Sequence, residues 1–558
     1  SRLVYTSRCP LCRLVSEAIH EDYKATHPED GVAASHLNLV NVFWSRDAGP
    51  DCKGAFVMYG VRSCIVCFAS DDLNISQATE SFCLRAVVAS ELNYSRIWTW
   101  ISTCAETHAA SCGHGGITPI SFDDAYPGLL VLRLIDVEED RLIEASEILP
   151  YAALSYVWGG IATIRLTRAN LEKMLQPGSL EEDNSEDLER GVKVMDNIYE
   201  QSQLTVIAAT GHSAEAGLPG VRGNSRLQTQ AVEVKKNTHR GVFVGLDQLL
   251  QSTVYQSRAW TFQEQLLCRR ALFFVDNQVF FRCRQHTLSE RTLQDIRNPQ
   301  FEMSKHTASQ NLTQLSWLED PVKDYAGILE HCTARALTNQ GDAQQALAGT
   351  MRRVGQRLGQ DVVQGLPSGE MDSFLLFRSA SGGGFSSRRR GFPSWSWAGW
   401  EQAVTSGYDD IVSNWPESQN WIVCRDGQSY PLLQFWTLTV YYRTRVENAF
   451  AGICTMYGND GSSCGIVRVD GLESDIVSSG DDPWEFILLS EHSDEGQDQG
   501  LDAVYTIMLL EKHNGFAERR GLEYCSLSRI PLSYPPGPVW KEIILGWDNT
   551  DIERLGLR

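Results

Sequence analysis

The run Tyr151-Ala-Ala-Leu-Ser-Tyr-Val-Trp-Gly159 constrains this chain more than any other stretch. An apolar run that stops at glycine reads as a short buried strand opening into a loop, and an open α/β sheet keeps its ligand crevice at such strand ends. Three further blocks follow in order: Met195-Asp-Asn-Ile-Tyr199 running into Leu204-Thr-Val-Ile-Ala208, Ser257-Arg-Ala-Trp-Thr-Phe-Gln-Glu264, and Phe392-Pro-Ser-Trp-Ser-Trp-Ala-Gly399.

The spacing of Leu188, Val192, Met195 and Tyr199 predicts a helix, with Asn184 or Ser185 available as its cap. The β-branched run 204–209 predicts a buried strand. A one-turn helix is expected at 171–175, stopped by Pro177-Gly178 and followed by an acidic loop at 181–187. Trp260, Glu264 and Leu267 fall on one face of a helix. Runs 271–275 and 278–283 flank Asp276-Asn277, a tight hairpin signal. The run 131–135 reads as a strand leading into the core.

Together the four blocks resemble the HET (heterokaryon incompatibility) domain proteins of filamentous fungi. The order of strand, helix, acidic loop, helix, strand, turn and Trp-containing helix is also similar to the TIR fold. The resemblance implies an α/β fold with a TIR-like (flavodoxin-like) parallel-sheet core at 145–290, preceded by a Cys-rich segment at 1–120. A helical segment (300–378), a Ser/Gly/Arg linker (379–391) and a largely β C-terminal region (392–558) are expected to follow. Only residues 160–190 fill an interval where the family carries a further helix and strand, so the domain is expected to be shortened.

In enzymatic TIR domains a helical Glu cleaves NAD, and the matching position is Glu264. The resemblance therefore implies a non-self recognition protein that triggers programmed cell death, with NAD hydrolysis at Glu264. The alternative is a non-catalytic signalling module acting by homotypic association. Around Glu264, the rings of Tyr156 and Trp158 suit stacking on a base or nicotinamide. Gly159 and Gly160 let backbone approach a phosphate, and Arg258, beside Trp260, offers a phosphate partner. Each has a plainer reading: Glu264 as a core hydrogen-bonding group, the aromatics as packing, the glycines as a turn and Arg258 as an ion-pairing residue.

The 15 cysteines, eight of them before residue 113, are read as reduced thiols of a cytoplasmic protein. Cys9-Pro-Leu-Cys12 and Cys64-Ile-Val-Cys67 have zinc-ligand spacing, and Cys104, His108 and Cys112 recur every four residues. Small thiols packing one helix on another is the reading preferred over zinc, so no bound cofactor is expected, with NAD as substrate. The net charge of −21 opposes general nucleic-acid binding. No apolar run approaches the ~20 residues of a membrane span. Homo-oligomerisation through the HET domain and an unidentified recognition partner complete the expectation. The Trp-rich block 392–400 is read as a packed strand and turn, and Arg388-Arg-Arg390 as either a site for an acidic partner or a solvated basic patch.

Overall fold

The computed structural model describes residues 9–26, 44–46, 55–58, 64–68, 83–84, 91–113, 121–159, 170–177, 195–222, 224, 226, 232–235, 238–292, 320–385, 387–389, 391–406, 422–425, 431–448, 452–470, 482–492, 504–513, 516–533 and 539–545. The chain divides into two compact units, Ser1–Trp317 and Leu318–Arg558.

The first unit opens with α1 (Pro10–Thr26), whose Leu14, Val15, Ala18 and Ile19 form one buried stripe at helical spacing. Strands β1 (Trp44–Arg46), β2 (Ala55–Met58), β3 (Cys64–Phe68) and β4 (Cys83–Leu84) follow. Next come α2 (Tyr94–Thr107), capped by the Asn93 side chain, and a hairpin of β5 (Leu132–Asp136) and β6 (Arg141–Ala145). That hairpin forms its own two-stranded sheet. The run 131–135 is thus a strand, but it pairs only with its sequence neighbour and does not enter the core sheet.

The core sheet is built from β7 (Ala152–Tyr156), β8 (Leu204–Ala208), β11 (Arg270–Val275), β12 (Gln278–Cys283) and β13 (Thr287–Ser289). Strands β9 (Val232–Lys235) and β10 (Thr238–Phe243) belong instead to the sheet of β1 to β4, where β10 pairs antiparallel with β3. In the core sheet, β7 and β8 are parallel, as are β8 and β11, whereas β12 and β13 continue antiparallel. The core is therefore mixed rather than purely parallel. Asp276 and Asn277 both take positive φ (44° and 58°), the left-handed pair that a two-residue hairpin requires.

Strand β7 ends the order of this sheet, and its residues alternate between buried and exposed, with Leu154 53% exposed. Among the described residues no strand pairs beyond β7, and the expected burial holds for the face carrying Ala153 and Ser155 but not for Ala152 and Leu154. β7 pairs with β8 across all five residues, Ala152 to Tyr156, so the short interval between them leaves no gap in the sheet at this point. Helix α3 (Met195–Gln201) leads into β8, while its expected start at 184–194 and the acidic loop lie outside the described residues.

Both faces of the central strands are covered. Ile207, Phe273 and Phe280 occupy one face, beneath α4 (Leu246–Gln251) and Tyr255. Leu272, Phe274 and Phe281 occupy the other, against Ile97, Trp100 and Cys104 of α2. This alternation within fully buried β11 and β12 is the period-two signature of strands sandwiched between layers. The buried Arg226–Glu290 pair adds a polar tie: the Glu290 carboxylate accepts from Arg226 and from the Val279 N–H (2.9 Å), and Arg226 also donates to the Glu91 carbonyl (2.7 Å).

The second unit carries α7 (Pro321–Thr333) and α8 (Ala348–Leu358). Beyond them lies an eight-stranded, largely antiparallel sheet, in which one strand runs Pro431–Asn448 and others run Ser463–Val469, Trp484–His492 and Val504–His513. The C-terminal region is thus largely β, as expected. Trp395, Trp397 and Trp400 are all buried: Trp395 lies in a turn, Trp397 opens a 3₁₀ segment, and Trp400 forms an isolated antiparallel bridge with Arg388. Arg389 is also buried, and donates to the Ala398 (2.9 Å) and Trp400 (2.6 Å) carbonyls. Arg388 donates to the Gly399 and Phe392 carbonyls, 2.7 Å each. These two side chains of the expected linker correct the reading of a solvated basic patch: they satisfy the turn's carbonyls. Arg390 lies outside the described residues.

At the centre of this unit Arg519, fully buried, pairs with Asp470 (3.0 Å). It donates to the Phe377 (2.8 Å) and Leu375 (3.3 Å) carbonyls and lies 4.1 Å from the Phe377 ring centre. Among the described residues no helix is long and apolar enough to cross a membrane.

Candidate active site

A break between two short helices sets the geometry of this site. Helix α5 (Val254–Ser257) is capped by the Thr253 hydroxyl, which accepts from the Gln256 N–H at 3.1 Å. Arg258 leaves helical conformation (φ −92°, ψ 134°) and starts α6 (Ala259–Leu267). The Thr261 hydroxyl pins the break, its one hydrogen shared between the Tyr255 (2.6 Å) and Arg258 (2.9 Å) carbonyls. Both Tyr255 and Glu264 then meet Ser155 of β7.

Ser155 is buried and donates to the Glu264 carboxylate. A serine hydroxyl has one hydrogen, so while Glu264 is ionised the second contact, at 2.6 Å, is accepted from the Tyr255 hydroxyl. A directed chain results: Tyr255 to Ser155 to Glu264. Tyr199 of α3 donates to the Leu154 carbonyl (3.2 Å).

Glu264 is only 8% exposed. Burial penalises its charged form and pushes its pKa from the ordinary 4.5 up to about 7, against the opposing pull of Ser155, the Tyr199 hydroxyl and the positive charge of Arg258. Burial, and then the Glu264 charge, raise the Tyr156 hydroxyl above its usual range. A carboxyl poised near neutrality can hold or release a proton at working pH, and can stabilise a positive charge when ionised.

The other predicted residues surround this group to different degrees. Tyr156 is half-buried and Trp158 is exposed, and their rings stack at 6.4 Å. Gly159 follows with φ +72°, and a Cβ there would meet the Ser213 Cβ at 2.6 Å, so glycine is required at this close approach. Arg258 and Trp260 are half-buried at the start of α6. Gly160 lies outside the described residues. The expected helix forms and holds Trp260, Glu264 and Leu267 together, and seven of its nine residues are buried.

The sequence reading missed Ser155, Tyr199 and Tyr255. Ser155 carried a usable signal: a hydroxyl at an inward position of an apolar strand needs a buried partner.

On the opposite face of the sheet, Cys104, His108, Cys112 and Cys283 bring ligand atoms within 4.8 Å of one another. The sequence grouped the first three and gave no hint of Cys283, which comes from β12. Of the other zinc-spaced pairs, Cys9 is exposed and Cys12 half-buried, while the side chains of Cys64 and Cys67 lie outside the described residues.

Residues 178–264 match the family described as Heterokaryon incompatibility protein (HET), a match that ends on Glu264 itself. No curated protein and no solved structure matches the chain.

Proposed function

We propose, on the premise that this chain is a HET domain protein, that its α/β core is a TIR-like module and that Glu264 is the carboxylate of an NAD-cleaving site serving heterokaryon incompatibility. The observation that carries this reading is the placement of Glu264. A buried carboxyl with a pKa near 7 is held by a Ser155–Tyr255 chain on the strand that ends in the Tyr156–Trp158 ring pair.

The chemistry needs little else. The bond between ribose C1′ and the nicotinamide nitrogen breaks, and its electron pair leaves with nicotinamide, which departs neutral. Positive charge spreads over C1′ and the ring oxygen, where ionised Glu264 stabilises it. Water adds to C1′ and loses a proton, giving ADP-ribose. Trp158 and Tyr156 stack on the planar rings, and Arg258 pairs with the pyrophosphate. Self-association of the module in the cytoplasm switches the site on, and loss of NAD drives cell death.

The test is nicotinamide release from NAD by the purified chain, wild type beside Glu264→Ala, over a range of protein concentrations. Release that climbs steeply with concentration and vanishes in the variant supports the reading. A folded wild-type chain that releases none would leave Glu264 as a structural buckle in a signalling module that works by association alone.

A further inference from the structure

The cluster of Cys104, His108, Cys112 and Cys283 is too specific an arrangement to be packing thiols. We infer that these four side chains form a structural zinc site that fastens α2 to the end of β12.

The local fold brings the ligands together in two steps. Cys104 and His108 lie one turn apart, and α2 ends at His108, whose N–H donates to the Cys104 carbonyl at 2.9 Å. A short helical turn, Ala109–Cys112, then begins from His108, and the Cys112 N–H returns to the His108 carbonyl at 2.7 Å. Three potential ligands therefore face one side at intervals of a turn. The fourth, Cys283, is the last residue of β12 and comes from more than 170 positions downstream, its sulfur 3.5 Å from His108 Nδ1.

The distances suit a metal. Zn–S bonds of about 2.3 Å and Zn–N bonds of about 2.0 Å in a tetrahedron place ligand atoms roughly 3.5–3.8 Å apart. The four atoms already lie within 4.8 Å of one another. A small contraction closes the tetrahedron. A disulfide would use two of the three sulfurs and leave the third beside the imidazole with no role.

The electrostatics agree. Three thiolates around Zn²⁺ carry one net negative charge, and buried Arg270 aims its Nε–H at the Cys104 sulfur (3.3 Å). A guanidinium N–H directed at a thiol gains little, whereas one directed at a zinc-bound thiolate is the outer partner that metal sites use to hold a ligand in place. The Arg284 guanidinium donates to the Ser111 carbonyl (3.1 Å), bringing a second positive charge beside Cys112. With four protein ligands and three buried sulfurs the site is closed, the form of structural rather than catalytic zinc.

The experiment measures metal content and cobalt spectra of the purified full chain. Wild type is expected to hold about one zinc per chain. Replacement by Co²⁺ should give the thiolate charge-transfer and intense visible bands of a tetrahedral site. Cys283→Ser and Cys112→Ser should lose the metal and those bands, while the Cys9→Ser/Cys12→Ser double variant should keep both. Where a cysteine variant does not fold, alkylation of the wild-type chain mapped by mass spectrometry decides the question. Cys104, Cys112 and Cys283 should be protected together and become reactive together when a chelator is added. A folded wild type with neither zinc nor cobalt uptake, or bound zinc whose removal leaves the reactivity of these three cysteines unchanged, overturns the inference.

Discussion

Ser155, on β7, donates its hydroxyl hydrogen to the carboxylate of Glu264, on α6, 109 positions later in the chain. A strand and a helix that belong to distant blocks of sequence are thereby joined through one buried carboxyl. Ser155→Ala removes the donor and leaves Glu264 in the same apolar surroundings. The Glu264 pKa should climb above about 7, because burial then acts with less opposition. The pH midpoint for nicotinamide release should rise with it, and stability should fall by about 1–3 kcal/mol. A pH–rate profile unchanged from wild type would separate Ser155 from the chemistry.

Glu264→Gln tests the carboxyl in the absence of any ligand. The folded-state pKa is raised from 4.5 to about 7, so the native chain holds a proton that the unfolded chain has already lost. The stability this confers is complete below about pH 4.5 and is lost as pH rises to about 7. At about 1.4 kcal/mol per pH unit, the loss across that window is on the order of 3 kcal/mol. Urea unfolding at pH 5 and pH 8 should show wild type weakening relative to Glu264→Gln, which has no proton to lose.

Arg226→Met tests a second buried carboxyl, Glu290. Glu290 keeps the Val279 N–H but loses its cation, and truncating one partner of a buried pair costs about 3–5 kcal/mol. Burial already raises the Glu290 pKa, and removal of Arg226 raises it further, so the variant should be least damaged in acid. The double variant Arg226→Met/Glu290→Met should be more stable than Arg226→Met alone, as measured by thermal unfolding.

Arg519→Met should act on the second unit. It breaks the contact with Asp470 and leaves the Phe377 and Leu375 carbonyls without this donor, at a cost of about 3–5 kcal/mol. Arg519→Lys should rescue only part of this, since an ammonium lacks the planar fork that serves three acceptors. Calorimetry of the full chain should show a transition shifted to lower temperature in Arg519→Met.

Local patterns were the readable part of this sequence. Asp276-Asn277 announced its hairpin because few residue pairs accept two positive φ angles in a row. In the C-terminal region the apolar runs 432–442, 465–469 and 484–489 lie inside strands of the eight-stranded sheet. What could not be read was which distant segments meet. Nothing near 151–159 says that this strand ends the order of the described sheet, and nothing near residue 283 says that its cysteine lies beside Cys104, His108 and Cys112. The arginines misled for a related reason. Arg388 and Arg389 sit in a Ser/Gly stretch that looks solvated, yet their guanidiniums serve carbonyls of the Trp-rich turn. Composition records charge and leaves the acceptors out of sight.

The burial of Glu264 turns the proposed site into an exchanger. A carboxyl that is half-protonated near pH 7 becomes fully ionised when a cationic ring is brought beside it. Binding the oxidised dinucleotide should then expel a proton, and the heat of binding should vary with the ionisation enthalpy of the buffer. The reduced dinucleotide, whose ring is neutral, should expel none. Acid and substrate thus compete for the same oxygen, and acidification would act on the proposed site as a brake.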